Sequence, residues 1–469
     1  MKTKIEKKIG LVITDGVGFR NFILSNCLQE IEGNFGEVII YSCIPKEVFE
    51  GFSSKTKVIE LDVFPDRFRT WFFMKLKEVA HLRLHKEDNF GISYNYDANK
   101  STTNTPRGFA VRLIYAITEI LHSEKWIQIF NYWQQLSFKN HKATKSYLEI
   151  FARDQIDFMF FTHQRPQYIA PLIYAAEKLN IPTGTFIFSW DNLASKGRMA
   201  GNFKHYFVWS QLMKMELLEF YNTILPNRIH VVGTPQFEPY VLDRYKISKQ
   251  DFSHKFHLNK QLKTICFSCG DVSTSKNDPL YIETIAMAIQ SQKINQKANF
   301  LVRTSPAETA ERVQYLRDEF PFIVWNYPDW PLSREGHQEI WSQRVPTVGD
   351  MIDLRGILEH CDVFINMCST MSLDAMCFNK AVINPVFGNI QNGLYNDQRF
   401  LKFAHYKRVV ESGAVAIVKN EKDLIDEINK ALSEPTIRIE AQQELLQLQV
   451  SCQLMGTSER IAKTIKACL

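Results

Sequence analysis

A chain of 469 residues exceeds what a single hydrophobic core ordinarily serves, so two domains of usual size are expected. Apolar residues make up 45% and charged residues 23%, the balance of a globular enzyme rather than of a disordered chain, and 34 Phe with 8 Trp make it rich in aromatics. The formal charge of +5 is small for this length, and with neither a basic stripe nor a recognisable module it gives no footing for nucleic acid as a partner.

The opening MKTKIEKK, followed by one strand-like apolar run, lacks the apolar core and cleavage site of a signal peptide. No run approaches about 18 apolar residues, so no membrane span is predicted. A cytoplasmic location is expected, with the inner face of a membrane left open. The nine cysteines are scattered and odd in number, which fits a reducing compartment. Cys266 and Cys269 form a lone CxxC inside a predicted strand, where their side chains point to opposite faces, and no second pair completes a metal site.

In chain order, IGLVIT reads as a buried strand running into the loop Thr14-Asp15-Gly16-Val17-Gly18 and then a helix. EVIIYSC and KVIEL follow as strands. A long helical stretch is predicted from about Arg67 to Leu136, interrupted by a polar, turn-rich segment from Asn89 to Pro106. Strand, helix, strand order returns with IDFMFFTH, PQYIAPLIYAAEKLN, TGTFIFSW, HYFVWS, QLMKMELLEFY and IHVVGTP. After Gly233-Thr234-Pro235 the pattern loosens into a predicted interdomain connection, about which closure would exclude water.

A second alternating series begins at TICFSCG and runs through ANFLVRTSP, AETAERVQYLRDEF, FIVWNYP and TVGDMIDLRGILEHC. It ends in FINMCSTMSLDAMCFNKAVINPVF, AVAIVKN and two terminal helices. Two such series predict an α/β chain of two doubly wound parallel-sheet domains. The expected boundaries are 1–238, 239–450, and a C-terminal helix at 451–469 packing back on the first domain.

In open parallel sheets ligands bind outside the carboxyl ends of the strands. In the second domain this selects Gly270, Asp271, Ser273, Arg303, Ser305, Ser369, Thr370 and Asp374. Ser369 and Thr370 stand at a predicted helix start that either holds an anion or is merely capped. Asp374, about one turn on, would accept hydrogen bonds from ribose or sugar hydroxyls. Arg303 would either pair with a phosphate through its fork of donors or sit in a surface ion pair. In the first domain the same rule selects Asp15, Gly16, Gly18, His163, Arg165, Asp191, Asn192 and Lys196.

A phosphate-binding wall across a cleft from carboxylate and imidazole groups suits group transfer from an activated donor. Asp15 and His163 are the two candidate bases for an acceptor hydroxyl, and Arg303, Ser369 and Thr370 the candidate stabilisers of the leaving phosphate. No Asp-x-Asp pair occurs, so neither a metal nor any other cofactor is expected. The stretch Phe64 to Lys86, with Trp71, Phe72 and Phe73 among basic residues, would either touch anionic lipid or pack on its own sheet.

The run Phe188-Ser189-Trp190-Asp191-Asn192-Leu193-Ala194-Ser195-Lys196-Gly197-Arg198, with HYFVWSQLMKMELLEFY, VVGTPQFE, FINMCSTMSLDAMCFNKAVINPVF and HYKRVVESGAVAIV, resembles bacterial GT-B glycosyltransferases of capsule and surface-polysaccharide assembly. More distantly it is similar to CDP-glycerol glycerophosphotransferases. The resemblance implies a GT-B fold of two Rossmann-like domains facing across a cleft. It also implies a nucleotide-sugar donor in the C-terminal domain and a saccharide or lipid-linked acceptor chiefly in the N-terminal one. Ser369, Thr370 and Asp374 match the donor-binding turn, and Asp15 matches, by position, an acidic base of inverting relatives. Arg303 matches an arginine that relatives carry in an Arg-x-His-Pro setting, which here reads Arg303-Thr304-Ser305-Pro306. The implied activity is inverting, metal-independent glycosyl transfer. A CDP-activated polyol-phosphate transferase and a nonhydrolysing nucleotide-sugar 2-epimerase are the alternatives, the latter disfavoured by Cys368-Ser369-Thr370 where its relatives carry a Gly-Gly pair.

Overall fold

The computed structural model describes residues 7–64, 66–337, 339–389 and 397–469. It divides into two compact units. Unit 1 comprises residues 1–236, 332–345 and 449–469, and unit 2 comprises 237–331 and 346–448. The excursion 332–345 has no counterpart in the sequence-based boundaries.

Unit 1 is built on seven parallel strands: β1 Lys8–Ile13, β2 Glu37–Ser42, β3 Lys57–Glu60, β4 Phe158–Phe161, β5 Thr183–Phe186, β6 His205–Val208 and β7 Ile229–Val231. Their spatial order is β3-β2-β1-β4-β5-β6-β7. Chain direction across the sheet reverses between β1 and β4, which pair from Ile9↔Phe158 to Val12↔Phe161. Helices cover both faces of such a sheet, so its strands are apolar runs without alternation, and all four residues of β4, FMFF, are buried.

The stretch expected to be one interrupted helix is four: Phe68–His85, Phe90–Ala98, Pro106–Ile120 and Glu124–Ser137. The polar interruption is itself partly helical. Asn89 caps the second helix by accepting from the Ile92 amide, and Thr105 with Pro106 at the first helical position starts the third. The last helix, Thr457–Ala467, packs on the helix Cys27–Asn34 within this unit.

Unit 2 carries six parallel strands: β8 Lys263–Ser268, β9 Ala298–Arg303, β10 Val324–Asn326, β11 Val363–Ile365, β12 Ala381–Pro385 and β13 Ala416–Val418. The order is β10-β9-β8-β11-β12-β13, reversing between β8 and β11. Its core gathers Ile265, Phe267, Phe300, Val302, Val363, Ile365 and Ile383 from the strands with Tyr281, Ile285, Leu424 and Ile428 from the helices. The segment read as a loose connection is ordered by packing. Tyr240, Leu242, Tyr245 and Phe252 are all buried, and the helix Lys249–Lys255 is capped by Ser248.

Candidate functional site

Open parallel sheets bind ligands where the strand order reverses, in the crevice outside the carboxyl ends of the two strands concerned. In unit 1 those strands are β1 and β4, and the residues just beyond them are Asp15 and His163. Asp15 is fully buried and caps the helix Gly16–Phe22, its Oδ1 accepting from the Gly18 amide at 2.8 Å. Its Oδ2 accepts from the Thr14 hydroxyl at 2.7 Å and from His163 Nδ1 at 3.1 Å. A carboxylate with three donors on it is an acceptor only, so Nδ1 carries the imidazole proton.

Burial works to raise the Asp15 carboxyl, but the hydrogen bond and charge of His163, the Gly18 amide and the Thr14 hydroxyl outweigh it and hold it below the usual carboxylate range. Burial likewise pushes the His163 imidazole below its ordinary value, against the pull of Asp15. The pair at neutral pH is therefore an ionised carboxylate beside a neutral imidazole. The ring lies flat on Phe188, centroids 3.8 Å apart and planes 14° apart. Tyr168 donates to the Thr14 carbonyl at 2.9 Å and fixes the turn. Among the described residues His163 Nε2 has no hydrogen-bond partner.

The Phe188 to Arg198 run forms the floor of this pair. The Gln164 side chain accepts from the Phe188 amide and donates to Asn192 Oδ1, each at 3.0 Å, which ties the end of β4 to the run. Ser195 donates to the Asp191 carbonyl at 2.6 Å, and Lys196 lies 3.6 Å from the Asp191 carboxylate. Arg198 pairs with Glu124 and covers the Tyr221 ring at 4.1 Å. Asp191 thus holds both Asn192 and Lys196, while its charge reaches His163. Arg165 is half-buried, and its Nε is buried with no hydrogen-bond partner among the described residues.

The excursion 332–345 completes this wall. The Arg344 carbonyl lies where a Cβ on Gly16 would be, at 1.7 Å, so only glycine fits at the helix start. The His337 ring meets Tyr168 edge-on at 5.2 Å. Burial, then the charge of Asp15, raises the Glu339 carboxyl, with Arg165 opposing. Glu339 and Tyr168 escaped sequence reasoning, because nothing local to either hints at Asp15. A cavity of about 550 Å³ in the same unit is lined by Gln128, Tyr132, Thr183 and Lys204. It lies at the amino ends of β5 and β6, the opposite edge from Asp15, and is not the place where parallel sheets do chemistry.

In unit 2 the reversal point brings together Gly270, beyond β8, and the turn 366–370, beyond β11. The Gly270 amide donates to Asp278 at 2.9 Å, and Arg312 clamps the loop through Asp278 at 2.9 Å and the Ser275 carbonyl at 2.7 Å. The Ser369 amide donates to Asn366 Oδ1 at 3.1 Å, and the Ser369 hydroxyl accepts from the Met371 amide at 3.0 Å, keeping its own proton to give. Ser372, Asn384 and Tyr406 buttress Asn366 from below. Ser369 and Thr370 are half-buried at the start of the short helix Met371–Met376. Asp374 is buried and accepts from the Tyr240 hydroxyl, so a ribose would have to displace or share that bond.

Arg303 departs from both of its expected roles. It is neither open to a phosphate nor on the surface: it is 5% exposed, with one guanidinium nitrogen 2.9 and 3.0 Å from the two Asp350 oxygens and another on Asn326. Trp330 Nε1 and the Asp329 amide donate to the same carboxylate at 2.8 and 3.1 Å. Asp350, at the third position of the helix Val348–His360 whose N-cap is Thr347, was not singled out from the sequence. Ser305 is buried and accepts from the Ala307 amide at 3.2 Å. Among the described residues one group has metal-ligand chemistry, His205, His230 and Cys468 in unit 1, away from the pair at the β1–β4 reversal.

No family profile matches this chain, and no curated protein matches it in sequence. Solved structures do match in fold. UDP-GlcNAc 2-epimerase from Neisseria meningitidis, bound to UDP-GlcNAc, is 11% identical, with a TM-score of 0.51 over 98% of this chain and 100% of that one. The S. aureus MnaA–UDP structure is 12% identical, with a TM-score of 0.55 over 98% and 96%. A glycosyltransferase from Rickettsia africae is 13% identical, with a TM-score of 0.51 over 98% and 99%. The chain has the GT-B fold, two Rossmann-like parallel-sheet units of seven and six strands.

Proposed function

We propose that this protein is an inverting glycosyltransferase of surface-glycan assembly, moving a sugar from a nucleotide-activated donor to a hydroxyl of a saccharide or lipid-linked acceptor. The observation that carries it is the Asp15–His163 pair at the β1–β4 reversal, with His163 Nε2 left without a partner among the described residues. His163 acts as the base. Its Nε2 takes the proton of the acceptor hydroxyl as that oxygen bonds to the anomeric carbon and the bond from that carbon to the nucleotide's phosphate breaks. Asp15 fixes the tautomer and stabilises the imidazolium that forms.

Unit 2 supplies the donor site. The hydroxyls of Ser369 and Thr370 bind the diphosphate, and Gly270 lets the chain approach it closely. Arg165, whose Nε has no partner among the described residues, binds an anionic group of the acceptor. For a lipid-linked acceptor, the surface around the helix Phe68–His85 supplies membrane contact: Phe68 and Phe109 are 55% and 58% exposed, Arg107 lies over the Trp71 ring and Arg112 over that of Phe109. No described helix is long and apolar enough to cross a membrane.

UDP and UDP-GlcNAc, which two of the fold relatives carry, are the first donors to test. Nucleotide release from a panel of UDP-, GDP-, CDP- and dTDP-sugars should require an added acceptor and fall about 10²- to 10⁴-fold in His163→Ala. Acceptor-independent formation of a 2-epimer would replace transfer by epimerisation. Release of CMP from CDP-glycerol would favour the polyol-phosphate alternative.

A further inference from the structure

We propose that His205, His230 and Cys468 form a zinc-binding site that ties the last helix of unit 1 to the β6–β7 edge of its sheet. His205 opens β6 and His230 lies in β7. The two strands pair with Phe207 opposite His230, so His205, two residues before Phe207, is on the same face as His230 one diagonal step away. The helix Thr457–Ala467 delivers Cys468 at its C-cap.

His205 Nδ1 lies 3.1 Å from His230 Nε2, which lies 3.5 Å from Cys468 Sγ, and the three ligand atoms are all within 4.8 Å of one another. A tetrahedral zinc with ordinary bond lengths separates two nitrogens by about 3.3 Å and a nitrogen from a sulfur by about 3.6 Å. Ordinary hydrogen bonding accounts for the arrangement less well. His230 Nε2 has one proton or one lone pair, and both other atoms converge on it. A metal satisfies all three at once.

The donor set is selective, since two imidazoles and a thiolate suit zinc better than calcium or magnesium. All three residues are partly exposed, which leaves a fourth position for water. On binding, the Cys468 Sγ–H bond breaks, the sulfur's electron pair goes to zinc and the proton is released to solvent.

Nothing in the amino-acid sequence announces the group, because His205 and His230 are 25 residues apart, Cys468 lies 238 residues beyond His230, and no short ligand spacing links them. The test uses the full-length protein with any affinity tag removed. Titration with Zn2+ should show about one ion per chain with about one proton released, and Co2+ should give a thiolate-to-cobalt charge-transfer band. Cys468→Ser and His230→Gln should each weaken Zn2+ binding more than about 100-fold, beyond the cost of losing an outer-shell partner. Cys452→Ser should retain both signals. Absence of the cobalt band together with no stoichiometric uptake by the wild type would overturn the proposal, as would uptake that survives both ligand substitutions. Because the wild-type titration decides by itself, misfolding of a variant does not shelter the idea.

Discussion

Arg303 and Asp350 meet in the interior of unit 2, one guanidinium nitrogen held by both carboxylate oxygens at 2.9 and 3.0 Å. Asp350 also gathers Trp330 and the Asp329 amide, so the pair fixes the ends of β9 and β10 to the start of the helix Val348–His360. Removing one partner of such a pair strands a buried charge, at about 3–5 kcal/mol. Arg303→Ala should therefore lower unfolding stability by that order in urea titration, and Arg303→Ala with Asp350→Asn by less than the sum of the single changes. A variant of wild-type stability that binds nucleotide more weakly would instead return Arg303 to the donor phosphate.

Asp15 and His163 separate by role. Asp15→Asn keeps a hydrogen-bonding group at the position but offers Nδ1 no negative charge and can present an N–H to it, which favours the other tautomer. Turnover should fall at least about 100-fold with donor affinity unchanged. The acid limb of the rate profile carries further information. Since burial holds His163 below its ordinary value, the wild-type enzyme should stay active below pH ~6.5 before protonation removes the base. An acid limb above that pH would remove His163 from the mechanism.

The two sheets were legible because most strands are short apolar runs closed by turn or capping residues and followed by a helical pattern, and the residues just past those runs include Asp15, His163, Ser369 and Thr370. The contact between Asp15 and His163 was not legible, since it depends on β1 and β4 being neighbours across a separation of 148 residues. Arg303 shows a different limit. Its position after β9 fits a ligand site, yet the strand's last residue is still inside the core, where its charge needs an internal partner. The return of residues 332–345 to unit 1 had no sequence signal, being short, polar and nearly free of regular structure.

Gly16 is the point where that return is fixed. A methyl group there would meet the Arg344 carbonyl at 1.7 Å and the Val345 Cα at 3.1 Å, both backbone atoms that cannot rotate away. Gly16→Ala should cost about 1–3 kcal/mol as an overpacked site and loosen 332–345 from the helix Gly16–Phe22. Trypsin should then cleave after Arg334 or Arg344 faster than in the wild type. Unchanged cleavage with unchanged stability would mean that the segment is not anchored at Gly16.

Buried neutral histidines should set the acid stability of unit 1. Burial, then the charge of Arg198, holds His81 well below its ordinary value, and burial lowers His85 and His163 as well. The unfolded chain binds these protons near pH ~6.5 while the folded chain does not, so the unfolded state carries more protons as pH falls below that value. Their contribution is intact above pH ~6.5 and is lost progressively below it, with a slope of up to about 1.4 kcal/mol per pH unit for each histidine fully linked. Melting temperature should fall between pH 7 and 5.5. His81→Phe, which keeps the ring against Tyr221 and removes the titration, should flatten that fall, and an unchanged slope would show that His81 is protonated in the folded state.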